Sequence, residues 1–324
     1  MIKTSEYVRK GHPDRTCDIM SDALVDEYLR QDPNSRVAVD VFGCHNVITV
    51  GGEVTSKANI DVQTIIKQVY REIGYTNTIG VNVNINKQSP EINSKAIEGA
   101  GDSGIMIGYA TNETPEMLPL ETVLAKRVCD YLDGFAEEAY SPLMPDGKVQ
   151  VTTENFKIKT LVVSYQGNPS FTDNLEESLG KLLADYITPK TEMIFIPFQL
   201  GGFDADSGLT GRKNVLWYGT SIPTGGGAFA GKDATKVDRS GAYWARRMAI
   251  KILEKEELKT CLVEIAFVIG HKKAIMLKVN RDEFYSYPDI TVQGMIKKLD
   301  LNKPVYKQAS LKGHFGDKQF TWEQ

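Results

Sequence analysis

The sequence predicts an α+β fold of three similar subdomains related by a pseudo-threefold axis, on three observations. A pattern of helix, paired strands and helix occurs three times along the 324 residues. The strands fall in neighbouring pairs rather than in βαβ units, which argues against a dinucleotide-binding sheet. Two glycine-dense stretches, Gly99 to Gly108 (GAGDSGIMIG) and Gly225 to Asp233 (GGGAFAGKD), punctuate the pattern. The expected divisions are 1–98, 99–201 and 202–324, with segments free to interleave.

In the first unit, Ile19, Met20, Ala23, Leu24, Tyr28 and Leu29 recur at helical spacing and Asp32-Pro33 ends the run. Arg36 to Phe42 and Asn46 to Val54 alternate as the strands of a hairpin. Residues 61 to 72 place Val62, Ile65, Ile66 and Val69 on one stripe, with Gly74 as the stop, and Ile79 to Ile85 reads as a strand. The second unit holds a helix over 121–138, a turn at Pro142 to Gly147, strands over 149–153 and 157–165, and a helix over 174–186. The third holds a helix over 240–254, strands over 262–269 and 274–279, and a helix over 292–299. No sequence repeat accompanies this likeness of pattern.

Composition narrows the function. A net charge of -4 argues against a nucleic-acid surface, which needs a basic face. No apolar run approaches the roughly 18 residues of a membrane span, and the polar amino terminus lacks the apolar core of a secretory signal, so cytoplasm is the expected compartment. Cys17, Cys44, Cys129 and Cys261 lie far apart with no metal spacing and read as reduced thiols.

The chemistry concentrates at the glycine stretches. Glycine loops let backbone N–H groups donate to phosphate oxygens while lysine adds a point charge. Gly226 to Lys232 fits GxxxxGK, yet Asp233 stands where a P-loop needs Ser or Thr, and no clean strand precedes it. The favoured reading gives Lys232 and Lys236 to phosphate oxygens and a divalent cation to Asp238, because metal makes a carboxylate compatible with phosphate. Arg212 and Lys213, in GLTGRK, follow Asp204 and Asp206 and form a second cationic pair. In GHPDR, Pro13 stiffens the turn that presents His12 and Asp14, the latter as helix cap or metal ligand. His45, His271 and His314 have no spaced partners and read as structural or surface residues. No GxSxG or HExxH motif occurs.

Together these stretches resemble the S-adenosylmethionine synthetases. The resemblance spans the chain: GHPDR at 11–15, VGGEVT at 50–55, REIGY at 71–75, KQSPEI at 87–92, GAGDSGIMIGYATNET at 99–114, DGKVQVT at 146–152, DSGLTGRK at 206–213, GGGAFAGKDATKVDRS at 225–240 and GHFG at 313–316. It implies attack of the methionine sulfur on C5′ of ATP, then hydrolysis of the expelled triphosphate to diphosphate and phosphate. By matching motifs it places His12 near the breaking bond and Lys148, Arg212, Lys213, Lys232 and Lys236 on the polyphosphate. Arg15, Asp146, Phe198, Asp206 and Ala228 join the nucleotide site, with Phe198 stacked on adenine. Glu53, Gln88, Asp102, Asp206 and Lys236 fall to methionine, and Asp102 faces its amino group. Asp14 and Asp238 would hold two Mg2+ ions and Asp40 a K+ ion. The resemblance further implies a homodimer with sites at the subunit interface, a form that pairs into homotetramers in some members.

The chain departs from the family pattern at several points. Arg15 stands for the lysine of GHPDK, Ser103 for the glutamine of GDQG, and Asp40 for a glutamate. The run 93–98 is shorter than the lid of ordinary members, which implies weaker exclusion of solvent and faster product release in a compact enzyme. Two other functions fit fewer residues. An ATP-dependent phosphotransferase would yield ADP, and a silent ATP-binding homologue would not need this costly gathering of like charges.

Overall fold

The computed structural model describes residues 1–88, 99–138, 141–280 and 291–324. Among the described residues three sheets carry the fold, the first two on one plan and the third on its opening part. In the first, the hairpin of β2 (Arg36–Cys44) and β3 (Val47–Thr55) is followed by helix α2 (Val62–Ile73) and a parallel strand, β4 (Gly80–Asn86). In the second, β6 (Leu143–Glu154) and β7 (Lys157–Gly167) form the hairpin, α4 (Thr172–Leu182) crosses over, and β8 (Glu192–Phe198) lies parallel to β7. In the third, β10 (Thr260–Phe267) and β11 (Met276–Val279) pair and α6 (Val292–Leu299) follows. A long helix precedes each hairpin: α1 (Pro13–Gln31), α3 (Leu120–Ala136) and α5 (Val237–Lys255).

One strand of each sheet comes from elsewhere in the chain. Strand β1 (Ile2–Val8), ahead of α1, pairs with β6 of the second sheet over seven residues. Strand β5 (Gly104–Thr111), ahead of α3, pairs with β10 of the third sheet. The two-residue β9 (Gly208–Leu209), ahead of α5, returns to β2 of the first. The three units therefore exchange their leading strands in a closed cycle, and the sheet orders are β4-β3-β2-β9, β1-β6-β7-β8 and β11-β10-β5.

Two elements differ from their sequence reading. Pro142 to Gly147 does not form a turn, because the chain continues as β6 with an irregular register between Leu143 and Gly147. The first glycine stretch is a loop only over residues 99–103. From Gly104 onward it is strand β5, and a side chain at Gly108 would begin 2.0 Å from the Ala245 carbonyl carbon of α5. Gly108 thus serves the approach of a helix, while Gly99 and Gly101 lie close to the backbone of Gly270 and Thr235.

The core gathers around α1 and α5, which are buried along nearly their whole length. Asp61 caps α2 through the Thr64 amide, and Gly74 with φ +120° ends it. The carboxyl end closes over α5. Trp322 stacks on Tyr243 at 4.0 Å, and His314, fully buried, meets the Tyr243 hydroxyl through Nδ1 at 2.8 Å. Phe229, from the second glycine stretch, packs its ring 5.2 Å from His314. The four cysteines are unpaired. Among the described residues no helix is long and apolar enough to cross a membrane. The short run 93–98 read as a reduced lid lies outside the described residues.

Candidate active site

Charged residues from the motifs collect in two clusters, both beside α1. The first forms where the turn after β9 docks on the start of that helix. His12 is its N-cap, and Nδ1 accepts from the Asp14 amide at 3.2 Å. Asp14 is 4% exposed, accepts from the Leu209 amide at 2.9 Å and meets Lys213 Nζ at 2.5 Å. Arg212 approaches the same carboxylate at 3.7 Å and is half exposed. Lys148 enters from β6, held by Glu6 of β1 at 3.2 Å, and Asp206 stands on an exposed turn.

Burial drives the His12 imidazole down to about 4, with the Lys213 charge adding to it and Asp14 opposing. The ring is therefore neutral at physiological pH. Because Nδ1 accepts a backbone N–H, the ring proton sits on Nε2, leaving a neutral donor there. The unfolded chain takes up this proton near the ordinary value of about 6.5 and the folded chain does not, so His12 lowers stability as pH falls from about 6.5 to about 4 and contributes no such loss above that window. In the ligand-free, metal-free protein, the His12 ring resonances followed by NMR should titrate near pH 4. A midpoint near 6.5 would contradict the buried, neutral ring.

The second cluster forms on the exposed face of β2 and the start of α5. Lys232 bridges to Ala38 of β2 through its backbone and holds Asp238 Oδ2 at 2.6 Å. Burial raises the Asp238 carboxyl, Lys232 pulls it down, and nearby Asp102 pushes it up again. Asp40 is likewise raised by burial and lowered by Lys232. Glu53 pairs with Ala38 across the hairpin, and Ala38 and Asp40 are two apart on one strand, so Glu53 shares their face. Lys232 thus acts on both Asp238 and Asp40, although no group of three or more acidic, histidine or cysteine side chains among the described residues is close enough to hold a metal ion by itself. Gln88, just beyond β4, is buried with an unpartnered Oε1 among the described residues. Phe198, half-buried, ends β8, three residues ahead of the glycine pair that leads towards Asp206.

The two clusters touch through their loops. Asn214 donates to the Gly227 carbonyl at 2.8 Å, and Ala228 lies against Gly211.

Three residues expected at the nucleotide have partners within the chain. The Arg15 side chain is sealed in the core, where its guanidinium donates to the carbonyls of Val8 at 2.5 Å and Leu311 at 2.8 Å and lies 5.0 Å from the Tyr7 ring centre. Lys236 is buried on Asp233, whose carboxylate also receives the Val37 and Thr235 amides. Asp146 gives both oxygens to backbone, one to Gly147 and one to Gly202. All three hold loops of their own chain. The backbone of the second glycine stretch is likewise partly spent: Gly231 N–H donates to Asp22, and its carbonyl accepts from Val39.

Sequence reading missed Glu6, Asp18 and Asp22. Asp18 and Asp22 were signalled by an acidic residue at every fourth position in a helix that is otherwise core, whereas Glu6, on β1, had no such signal. Burial lifts Asp18 to about 8, the Gly211 amide opposing.

Comparison with known proteins covers the whole chain. Family models match the N-terminal domain of S-adenosylmethionine synthetase at residues 1–95, its central domain at 97–197 and its C-terminal domain at 200–324. The S-adenosylmethionine synthase of Deinococcus deserti is 37% identical over an alignment of 385 residues, covering 99% of this chain and 96% of the relative. That of Pseudothermotoga lettingae is 38% identical, covering 99% and 95%. That of Thermus thermophilus is 37% identical, covering 100% and 95%.

Proposed function

This chain belongs to the S-adenosylmethionine synthetase family, and from that premise we propose how its residues divide the reaction between the two clusters. It is a methionine adenosyltransferase. The methionine sulfur attacks C5′ of ATP, the S–C5′ bond forms as C5′–O5′ breaks, and the electron pair leaves on triphosphate. Water then cleaves that triphosphate to diphosphate and phosphate. No result favours a phosphotransferase or a silent homologue.

A thioether has no proton to remove, so the first step needs alignment and stabilisation of charge on the leaving group. His12 Nε2–H is placed to donate to the departing O5′ without adding a proton of its own. Lys148, Arg212, Lys213 and Lys232 meet the phosphate oxygens. At an effective dielectric of about 20, one full-charge contact at 4 Å is worth about 4 kcal/mol before desolvation. Phe198 supplies a ring for adenine. Asp102, Glu53 and Asp206 offer acceptors to the methionine ammonium, and the unpartnered Gln88 Oε1 fits the same role.

Mg2+ is commonly held by one or two carboxylates together with phosphate oxygens and water. Asp14 and Asp238 suit that arrangement, since each presents a buried carboxylate paired with a lysine that a phosphate can take over. When bound, two such ions would neutralise charge on the triphosphate. Asp40, beside Lys232, is the proposed K+ ligand.

The observation that carries the reading is that Lys213 and Lys232 each stand on a buried aspartate, in the two loops that bear the phosphate-binding motifs. Its test is incubation with ATP, Mg2+ and methionine, with and without K+, and identification of products by mass. S-adenosylmethionine, diphosphate and phosphate are expected, whereas ADP with a phosphorylated acceptor would overturn it.

The working form is proposed to be a homodimer in which cluster one of one subunit faces cluster two of its partner. In support, no ion pair joins the two clusters among the described residues, and exposed apolar side chains stand on the sheets, Phe42 and Val83 on the first and Ile194 and Ile196 on the second. Inactive Lys213→Ala and Lys232→Ala proteins, unfolded together and refolded, should then form hybrids with one intact site and recover about a quarter of the parent activity. A mixture no more active than its components would place both lysines in one subunit's site.

A further inference from the structure

Asp14, Asp18, Asp22 and Asp26 recur at every fourth residue of α1, and all four are buried. At helical spacing they form one row, successive members about 6 Å apart along the axis. Together they accept backbone amides from three segments: Asp14 from Leu209 at 2.9 Å and Asp18 from Gly211 at 2.7 Å in one turn, Asp22 from Gly231 at 2.9 Å, and Asp26 from Tyr306 and Lys307 at 2.9 Å.

The middle pair is alike in a further respect. Gly211 and Gly231 have φ of +85° and +78°, a region that favours glycine, and each immediately precedes a cation: Arg212 with Lys213, and Lys232. Neither loop has room to slide. A Cβ at Gly211 would lie 2.5 Å from the Ala228 Cβ, and one at Gly231 1.9 Å from the Val39 carbonyl oxygen.

We propose that Asp18 is a positioning residue, which sets the reach of Arg212 and Lys213 towards the triphosphate by holding the Gly211 amide one helical turn from the Gly231 amide held by Asp22. Asp22, one turn on, fixes the Lys232 loop of the same chain, which in the proposed dimer serves the other site. The inference rests on the reading that Arg212 and Lys213 meet the polyphosphate. Asp22 cannot serve as the probe, because it also balances buried Arg239 and receives the Ser310 hydroxyl. Asp18 has no cation to release; the Gly211 amide is its donor.

The test uses the full chain with Asp18→Ala, Asp18→Ser and Asp18→Asn, beside Lys213→Ala. Alanine removes the acceptor. A serine hydroxyl is too short to reach Gly211 and can bond back to a carbonyl of its own helix, whereas the asparagine oxygen can take the same N–H. In the alanine and serine variants KM for ATP should rise about tenfold, with weaker inhibition by inorganic tripolyphosphate, while KM for methionine stays within about twofold. Asparagine should return KM for ATP to within about threefold of the parent. A loss of folded protein lowers kcat without moving either KM, so it cannot mimic this result.

An ATP KM equal to the parent's in either folded variant would overturn the proposal. So would an asparagine variant as impaired as alanine, or alanine and serine variants that both fail to fold while asparagine folds, since the contact would then serve folding alone. If Lys213→Ala also leaves ATP kinetics unchanged, the underlying site reading falls. If Lys213→Ala is impaired and Asp18→Ala is not, only the positioning role of Asp18 falls.

Discussion

Lys232→Ala should lower kcat by about 10²-fold or more, with the fold retained, the scale on which single donors to a developing negative charge act. Lys232 is anchored at both ends: its backbone is bridged to Ala38, and its ammonium lies 2.6 Å from Asp238. The side chain is about a quarter exposed, so a phosphate can reach it. Removing the ammonium also leaves Asp238 beside Asp102 with no lysine between them, which would raise both the demand for Mg2+ and the cost of the empty site. Lys232→Arg should retain more activity than alanine but less than the parent, because a planar fork replaces a compact charge. Steady-state rates at saturating ATP and methionine decide the matter. Undiminished turnover in Lys232→Ala would remove this residue from the leaving-group site and with it the second cluster's claim on phosphate.

Arg246→Leu should destabilise the fold by about 3–5 kcal/mol, the cost of stripping one partner from a buried pair. Arg246 is fully buried on α5 and pairs with Glu323 at 2.7 Å. Its remaining N–H groups donate to the carbonyls of Tyr109 at 2.7 Å, Glu116 at 2.9 Å and Met117 at 2.9 Å. One guanidinium therefore joins the carboxyl end, α5 and the end of β5. Leucine strands the carboxylate and three carbonyls together. Glu323→Gln, which keeps an acceptor for part of the fork, should cost less. Denaturant unfolding of the three proteins measures the difference, or unfolding rates where refolding fails. A loss below about 1 kcal/mol for Arg246→Leu would show that water reaches the vacated groups.

How much was legible in the sequence depended on whether a residue's role is set locally or at a distance. Helix α2 and the β2–β3 hairpin announce themselves because one stripe or one alternation faces the core, and turn residues sit at their ends. Strand β1 does not. Its inward residues include Ser5, whose hydroxyl is met by Thr122 at 3.0 Å, so alternation of hydrophobicity is blurred. Gly104 to Gly108 read as a loop because glycine permits both tight turns and close packing, and only the helix lying on it distinguishes the two. The ligand roles of His12, Asp14, Lys213, Lys232 and Asp238 came from motif likeness, and the structure brings these residues into the two clusters. Arg15, Lys236 and Asp146 carried the same likeness, yet their partners at Leu311, Asp233 and Gly202 turn them inward. No neighbour in sequence foretells such partners, apart from Asp233.

The closed exchange of leading strands bears on how the chain must be made. While a ribosome is still at work, β1 has no edge to join until β6 has emerged, and β5 waits likewise for β10. The first sheet in turn receives its last neighbour from residues 208 and 209. Excising any one third would remove a strand from the next and leave its own orphaned. Assembly is therefore a late, concerted event, delayed until most of the polypeptide is available.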